Sequence, residues 1–337
     1  MSSYLIALFL LILTACAVRD PSPETNSGAL SVAHASEDAS PSITPVVTKS
    51  APVLTTALTK WCNTTDASFK RYGWPKSRCQ EFHWQHVRNS ANGHAIPWVV
   101  FGEEENLLGK NVTLIMCGVH GDEITPIKFC YDIIYDLSDF KWDFTNRVVI
   151  VAPLVSPDSF FKDKPTRTNG RGVDVNRNFP TKDWNAQALS LWKKKYRKDK
   201  RRYPGNKSLS EQETVFQINL IKRYQPSKII SVHSPLGLLD YDGPVPKKRT
   251  SPIEAKDLLV TMSEKASGYK VSNYPYFPGS LGNWAGNELG IPTYTLELPP
   301  IDSRQSDNYW KLFRGAIHHA IEQAVVLPSL DESTSGL

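Results

Sequence analysis

His120 and Glu123 stand three residues apart in the run Gly118-Val119-His120-Gly121-Asp122-Glu123, directly after the apolar stretch Val112-Thr113-Leu114-Ile115-Met116. An imidazole and a carboxylate at that spacing can reach one cation, and the apolar run places them at the C-terminal end of a buried strand. A catalytic zinc site usually takes a third protein ligand and keeps one position open. Ligands in an open α/β sheet gather beyond the carboxyl ends of strands, so the third is sought at another strand end. His233 follows Ile229-Ile230-Ser231-Val232 and meets that requirement. Glu297 in turn ends the run Pro292-Thr293-Tyr294-Thr295-Leu296. A lone His-x-x-Glu is a weak signal; joined to a strand-end histidine and a strand-end glutamate it becomes a strong one.

The elements that must position these groups can be read from periodicity. Glu81 to Arg88 alternates, Asn92-Gly93 is a two-residue hairpin signal, and Ala95 to Phe101 is a second apolar run, so a hairpin is expected. Helical spacing covers Ile124 to Leu137, and Val148-Val149-Ile150-Val151 reads as a strand buried on both faces. Ser210-Glu211-Gln212-Glu213 has the pattern of a capping box opening a helix through Lys222. Further helices are expected over 252–268 and 307–326, and Trp61 to Gln80 reads as a short helix and loop. Strands alternating with helices in this way predict a three-layer α/β/α sandwich around a mixed, mostly parallel twisted sheet. His83, His86 and His94, on the hairpin, have no carboxylate at ligand spacing and read as surface histidines.

The set His120-Gly121-Asp122-Glu123, Arg167-Thr168-Asn169, Gly172-Val173-Asp174-Val175-Asn176-Arg177-Asn178-Phe179, His233 and Glu297 resembles the zinc carboxypeptidases of the carboxypeptidase A superfamily, from about Phe82 to Gln323. Pro278-Gly279-Ser280-Leu281-Gly282-Asn283-Trp284 and Glu297-Leu298-Pro299-Pro300 look most like the murein peptide amidases of that superfamily. The resemblance implies one Zn2+ held by His120, Glu123 and His233. It implies that Glu297 takes a proton from water and passes it to the leaving amine. Arg167, with Arg171 as its rival, would face the tetrahedral oxyanion. Asn176 and Arg177 would grip the free carboxylate of the departing residue, since a guanidinium fork matches a carboxylate. Asp174 and Asn178 would hold their loop. Tyr274, with Tyr276 as the alternative, would close on substrate, and Gly279, Ser280 and Trp284 would shape the pocket for the leaving diamino acid. Asp240 and Asp242 read either as groups that touch that residue or, more commonly for such acids, as turn formers. Asp122 either orients His120 from behind or serves the turn.

With 40% hydrophobic and 22% charged residues in 337, the bulk resembles an ordinary globular chain, and a net charge of +5 gives no support for nucleic-acid binding. The first residues differ. Tyr4 to Leu13 is almost wholly apolar, too short to span a bilayer but suited to the h-region of a signal peptide, although no Lys or Arg precedes it. Leu13-Thr14-Ala15-Cys16 follows and resembles a lipobox, which implies a lipid on Cys16 and membrane attachment. The expected organisation is a lipoprotein signal over 1–16, a Ser/Pro/Thr/Ala-rich tether over 17–57, a catalytic domain over 58–327 and a polar tail over 328–337. Four cysteines then remain for an oxidising compartment. Cys62 and Cys79 are the first expected pair, whereas Cys117 and Cys130 either bridge or, the preferred reading, are buried small hydrophobic residues. The basic run Lys193-Lys194-Lys195-Tyr196-Arg197-Lys198, with Lys200, Arg201 and Arg202, reads equally as a solvated face or as a patch for an anionic polymer.

These readings point to an exported, monomeric lipoprotein on the periplasmic side of a bacterial membrane. It would hydrolyse the γ-D-glutamyl–diaminopimelate amide of peptidoglycan peptides. A zinc deacylase of small N-acyl amino acids and an inactive peptidoglycan-binding lipoprotein are the alternatives.

Overall fold

The computed structural model describes residues 52–244 and 255–325. The signal segment with Cys16, the tether up to residue 51 and the tail lie outside the described residues. Helix α1 (Thr56–Arg71) begins at a Thr55 cap, whose side chain accepts from the Leu58 N–H at 3.3 Å. Its buried Trp61, Cys62, Thr65 and Phe69 recur at helical spacing and face the core.

Six strands form one sheet: β1 (Val99–Phe101), β2 (Asn111–Met116), β3 (Arg147–Ala152), β4 (Lys228–His233), β5 (Leu238–Asp242) and β6 (Thr293–Glu297). Their order is β1-β3-β2-β4-β6-β5, with the four central strands parallel and the edges β1 and β5 antiparallel. Alternate residues serve opposite faces. Val112, Leu114 and Met116 enter one core and Ile115 the other. Leu114 and Ile115 are both wholly buried, so truncating either to alanine would cost about 2–5 kcal/mol. Helices α1, α2 (Ile124–Asp139), α6 (Ala255–Lys265) and α7 (Ser306–Glu322) bury their apolar sides in the core that takes Ile115, and α5 (Gln212–Tyr224) serves the core of Val112, Leu114 and Met116. The expected sandwich is therefore present, with a mixed and mostly parallel sheet.

Several local expectations change. The hairpin turn at Asn92-Gly93 forms, but only the bridges Gln85↔Trp98 and Asn89↔Ala95 join its arms. The capping box is absent. Glu211 occupies the cap without a side-chain bond, and both Glu211 and Glu213 turn inward to accept from Asn169 Nδ2, at 2.8 and 2.9 Å. A buried amide is a better partner for these carboxylates than an exposed helix end. Cys117 and Cys130 are not free: they form a disulfide, as do Cys62 and Cys79. The strand-to-helix turn brings their Cα atoms within 6.2 Å, a proximity that sequence spacing does not disclose.

Candidate active site

The chain leaves β2 and reverses direction across the sheet order: β3 lies on one side of β2, and β4 followed by β6 on the other. Such a switch point opens a crevice at the strand ends, and the predicted site residues collect there. A Cβ at Gly121 would run into Ser159 and the Phe160 amide, so glycine alone lets the turn press onto the short helix α3 (Pro157–Phe160). Glu123 follows as the N-cap residue of α2 but makes no side-chain cap. The helix still favours an anion at this end, and the carboxylate is used elsewhere.

One oxygen of Glu123 lies 2.8 Å from His120 Nδ1 and the other 2.9 Å from His233 Nδ1. All three side chains are buried, and their ligand atoms lie within 4.8 Å of one another. The second nitrogen of each imidazole is already engaged: His120 Nε2 with Asp174 Oδ1 at 3.1 Å, and His233 Nε2 with Ser231 Oγ at 3.0 Å. A neutral imidazole can donate to only one of its two carboxylate partners, so when Nε2 donates to Asp174 the Nδ1 lone pair faces the Glu123 oxygen. Two acceptors this close need a proton or a metal ion between them. Without a metal, burial and Arg167 oppose charge on His120, yet Glu123 and Asp174 outweigh them and raise its pKa. Burial would likewise raise the Glu123 carboxyl, but the two imidazoles hold it well below the usual carboxylate range. Two imidazoles and a carboxylate with their other atoms tied back fit a zinc ion.

Asp174 has a larger part than holding its loop. Its second oxygen accepts from Arg167 Nε at 3.0 Å, and Arg167 Nη1 reaches Glu123 at 3.1 Å. Arg167 and His120 keep the buried Asp174 ionised against desolvation. Asp122, read in the sequence either as a partner of His120 or as a turn residue, pairs with Arg201 at 2.5 Å. The turn that carries both residues sends the Asp122 carboxylate to Arg201 in the crevice wall, and Asp174 arrives from a distant loop. Arg171, the rival of Arg167, lies 3.8 Å from Glu211, is mostly exposed, and stays outside the crevice that Arg167 lines.

The crevice, of about 360 Å³, is lined by Glu297, Asn176, Arg177, Tyr274, Tyr276 and Ser280 as well as the triad. Glu297 pairs in register with His233 across β4 and β6, and its Oε2 accepts from the Leu236 N–H at 3.2 Å. Burial raises its pKa, with His233 opposing. Arg177 packs 4.3 Å over the Phe277 ring, and its buried Nε has no hydrogen-bond partner. Asn176 spends its amide oxygen on the Leu281 N–H at 2.8 Å, tying the loop that carries Ser280 to the arginine. Tyr274 and Tyr276 are 39% and 57% exposed at the mouth, and the geometry does not separate them as closing groups. Trp284 is not a pocket residue: it belongs to a π-helical segment (Gly282–Glu288) and stacks on Phe179, 5.6 Å away, in the core. Gly279 likewise packs beneath the Arg177 carbonyl rather than facing the crevice.

The sequence left Asp240 and Asp242 open between pocket groups and turn formers, and held no signal for Ser231. Asp240 and Asp242 belong to strand β5 and not to a turn, and both line the crevice. Their alternation in Leu238-Leu239-Asp240-Tyr241-Asp242 was the signal available. Ser231 supports His233 from within β4. The basic run divides: Lys193 and Lys194 end helix α4 (Trp184–Lys194) in solvent, whereas Arg201 and Arg202 reach the crevice mouth.

The family model for the zinc carboxypeptidases matches residues 76–324. The chain is 30% identical to murein peptide amidase A of Vibrio campbellii over 193 residues, covering 56% of this chain and 70% of that protein. It is also 30% identical to the Escherichia coli K12 protein of the same name over 200 residues, covering 57% and 73%. Among solved structures, murein-tripeptide amidase from Escherichia coli O157 superposes with a TM-score of 0.51 at 25% identity, covering 70% of this chain and 91% of that one. Carboxypeptidase A from Helicoverpa armigera, at 18% identity and a TM-score of 0.58 over 70% and 67% of the two chains, shares the fold. The convergent His-Glu-His group, the sheet that carries it and these likenesses agree: the chain belongs to the zinc carboxypeptidase family of hydrolases.

Proposed function

We propose that this chain is a zinc-dependent hydrolase of peptidoglycan stem peptides that cleaves the γ-D-glutamyl–diaminopimelate amide and releases the terminal diamino acid. The observation that carries the reading is the buried Arg177, its Nε without a partner, lining the same crevice as Glu297 and the His120-Glu123-His233 group. A guanidinium so placed fits the free carboxylate of a C-terminal residue. The relatives named as murein peptide amidases support the choice of substrate.

His120, Glu123 and His233 would hold one zinc ion, which supplies Lewis acidity for the scissile carbonyl and for a water. Glu297, ionised at the open side, takes the proton of the attacking water and delivers it to the departing amine. Its burial raises its proton affinity above that of an ordinary glutamate and so makes it a stronger base. Arg167 lends positive charge where the carbonyl oxygen becomes an oxyanion. Arg177 and Asn176 fix the departing carboxylate, and Tyr274 or Tyr276 covers the mouth.

Export and a lipid on Cys16 are part of the proposal and rest on the apolar leader and the Leu13-Thr14-Ala15-Cys16 sequence alone. Labelling cells with a radioactive fatty acid tests that part: wild type should incorporate the label and Cys16→Ser should not. For the reaction, L-Ala-γ-D-Glu-diaminopimelate is incubated with purified protein and followed by mass spectrometry. Release of diaminopimelate that stops with chelator and returns with zinc is expected. Hydrolysis of N-acyl amino acids with no attack on the tripeptide would overturn the reading in favour of a deacylase.

A further inference from the structure

The face of β5 and β6 that looks away from α6 and α7 carries Leu238, Asp240 and Asp242 on one strand and Thr295 and Glu297 on the other, and all five line the crevice. The opposite parity, Leu239, Tyr241, Tyr294 and Leu296, is buried in the helical core. Leu238 pairs with Glu297 and Asp240 with Thr295, so Asp240 lies about 7 Å along the sheet from the level of Glu297, two residues at roughly 3.3 Å each. That is the reach of a side chain of a few methylenes anchored beside the reacting bond.

Among the described residues neither the buried Asp240 nor the partly buried Asp242 has a cation beside it. Asp240 is 4% exposed and accepts a hydrogen bond from the Tyr274 N–H at 2.9 Å. Asp242 is bonded to the Asn287 side chain and presses against the π-helical segment, where a Cβ at Gly282 would collide with its Oδ2. Among the described residues neither acid forms an ion pair. Buried acids left side by side without a cation are costly, and burial together with Asp240 pushes the Asp242 carboxyl up to about 7. Arg177 lines the same crevice, as do Arg201 and Arg202, which are paired with Asp122 and Asp199.

We propose that Asp240, assisted by Asp242, forms a subsite for the side-chain ammonium of the departing residue, so that the crevice selects a diamino acid over one with an uncharged side chain. Arg177 takes the carboxylate on the backbone side, and the acid pair takes the distal ammonium. This rests on the hydrolase reading above and names the residues that set its specificity.

Two measurements separate the two ideas. Binding of free diaminopimelate and of 2-aminopimelate, which lacks the second amino group, is measured by calorimetry on the zinc-loaded protein without turnover. Diaminopimelate should bind at least ten-fold more tightly, and Asp240→Asn should remove most of that difference. Hydrolysis is then compared for L-Ala-γ-D-Glu peptides ending in lysine or in norleucine. Wild type should favour lysine, chiefly through KM. Asp240→Asn and Asp242→Asn should each lose at least ten-fold more kcat/KM on lysine than on norleucine, with unchanged melting temperature showing that the fold is intact. Equal binding of the two free amino acids, or a lysine preference that survives both substitutions, would overturn the subsite. Selective binding without hydrolysis of any peptide would instead remove the hydrolase reading and leave the subsite standing.

Discussion

Asp174 holds His120 and Arg167 at once: one oxygen lies 3.1 Å from His120 Nε2 and the other 3.0 Å from Arg167 Nε. The carboxylate fixes the ring so that Nδ1 faces Glu123, and it positions the guanidinium beside the same glutamate. Removing such a partner from a metal-ligating histidine typically costs 10–100-fold in affinity or activity. Asp174→Ala should therefore weaken zinc binding by about ten-fold or more, measured by competition with a chromophoric chelator. Asp122→Ala, which breaks only the pair with Arg201, should leave zinc affinity within about two-fold, because the turn rather than that side chain sets His120.

Glu297→Gln should keep the fold and the zinc content and lose about 100- to 10,000-fold in kcat, the range general acid–base catalysis contributes. Glu297 must be ionised to act, and burial raises its pKa. The acid limb of the wild-type pH profile should then lie above the ordinary glutamate value, with activity falling as the pH drops through it. The residual activity of the glutamine variant should lack that limb. An unchanged rate in this variant would be incompatible with the mechanism.

The Cys117–Cys130 bridge closes a loop with a sequence separation of 13 that contains both His120 and Glu123. Constraining a loop of this length in the unfolded chain is worth about 3 kcal/mol on an entropic account. The double variant Cys117→Ala/Cys130→Ala should unfold at correspondingly lower denaturant concentration. It should also lose zinc more readily, since the tie between the ligand turn and α2 is gone. The Cys62–Cys79 bridge lies far from the triad in sequence, and its double alanine variant should lower stability while leaving zinc affinity close to wild type.

Glu213 is fully buried next to Glu211, and desolvation pushes its pKa up to about 7, with Asn169 opposing. A carboxyl whose folded pKa exceeds its unfolded value near 4.5 contributes stability that is complete below the unfolded pKa and is lost as pH rises through the folded one. Unfolding free energy should consequently fall by about 1–3 kcal/mol between pH 4.5 and 7 on account of this group. Glu213→Gln should flatten that slope in denaturant melts and be the more stable form at pH 8. A wild-type slope preserved in the variant would assign the dependence to other groups.

Much of the site was written in the chain because its parts are local. An apolar strand ending in a histidine, or in a glutamate, declares both the element and the place where the side chain emerges, and β2, β4 and β6 follow from that logic. The two-period alternation and the 3.6-period helices likewise determined the sandwich. What the linear pattern could not decide were pairings between loops. Asp174 rather than Asp122 serves His120 because the loop of residues 161–174 folds back over the triad, a path no periodicity records. Arg167 rather than Arg171 faces Glu123 for the same reason. Glu211 and Glu213 forsook the capping box since Asn169, distant in sequence, offered them buried hydrogen bonds. Asp240 and Asp242 looked like turn acids because two polar residues interrupt a short edge strand; only the pairing of β5 with β6 set them on the face that lines the crevice. Cys117 and Cys130 met because the helix runs back past the strand end. Short-range order was determined by the sequence through side-chain period and backbone preference, whereas the partners of each buried charge were decided by tertiary packing, where a desolvated group takes whichever opposite charge or donor the fold brings within reach.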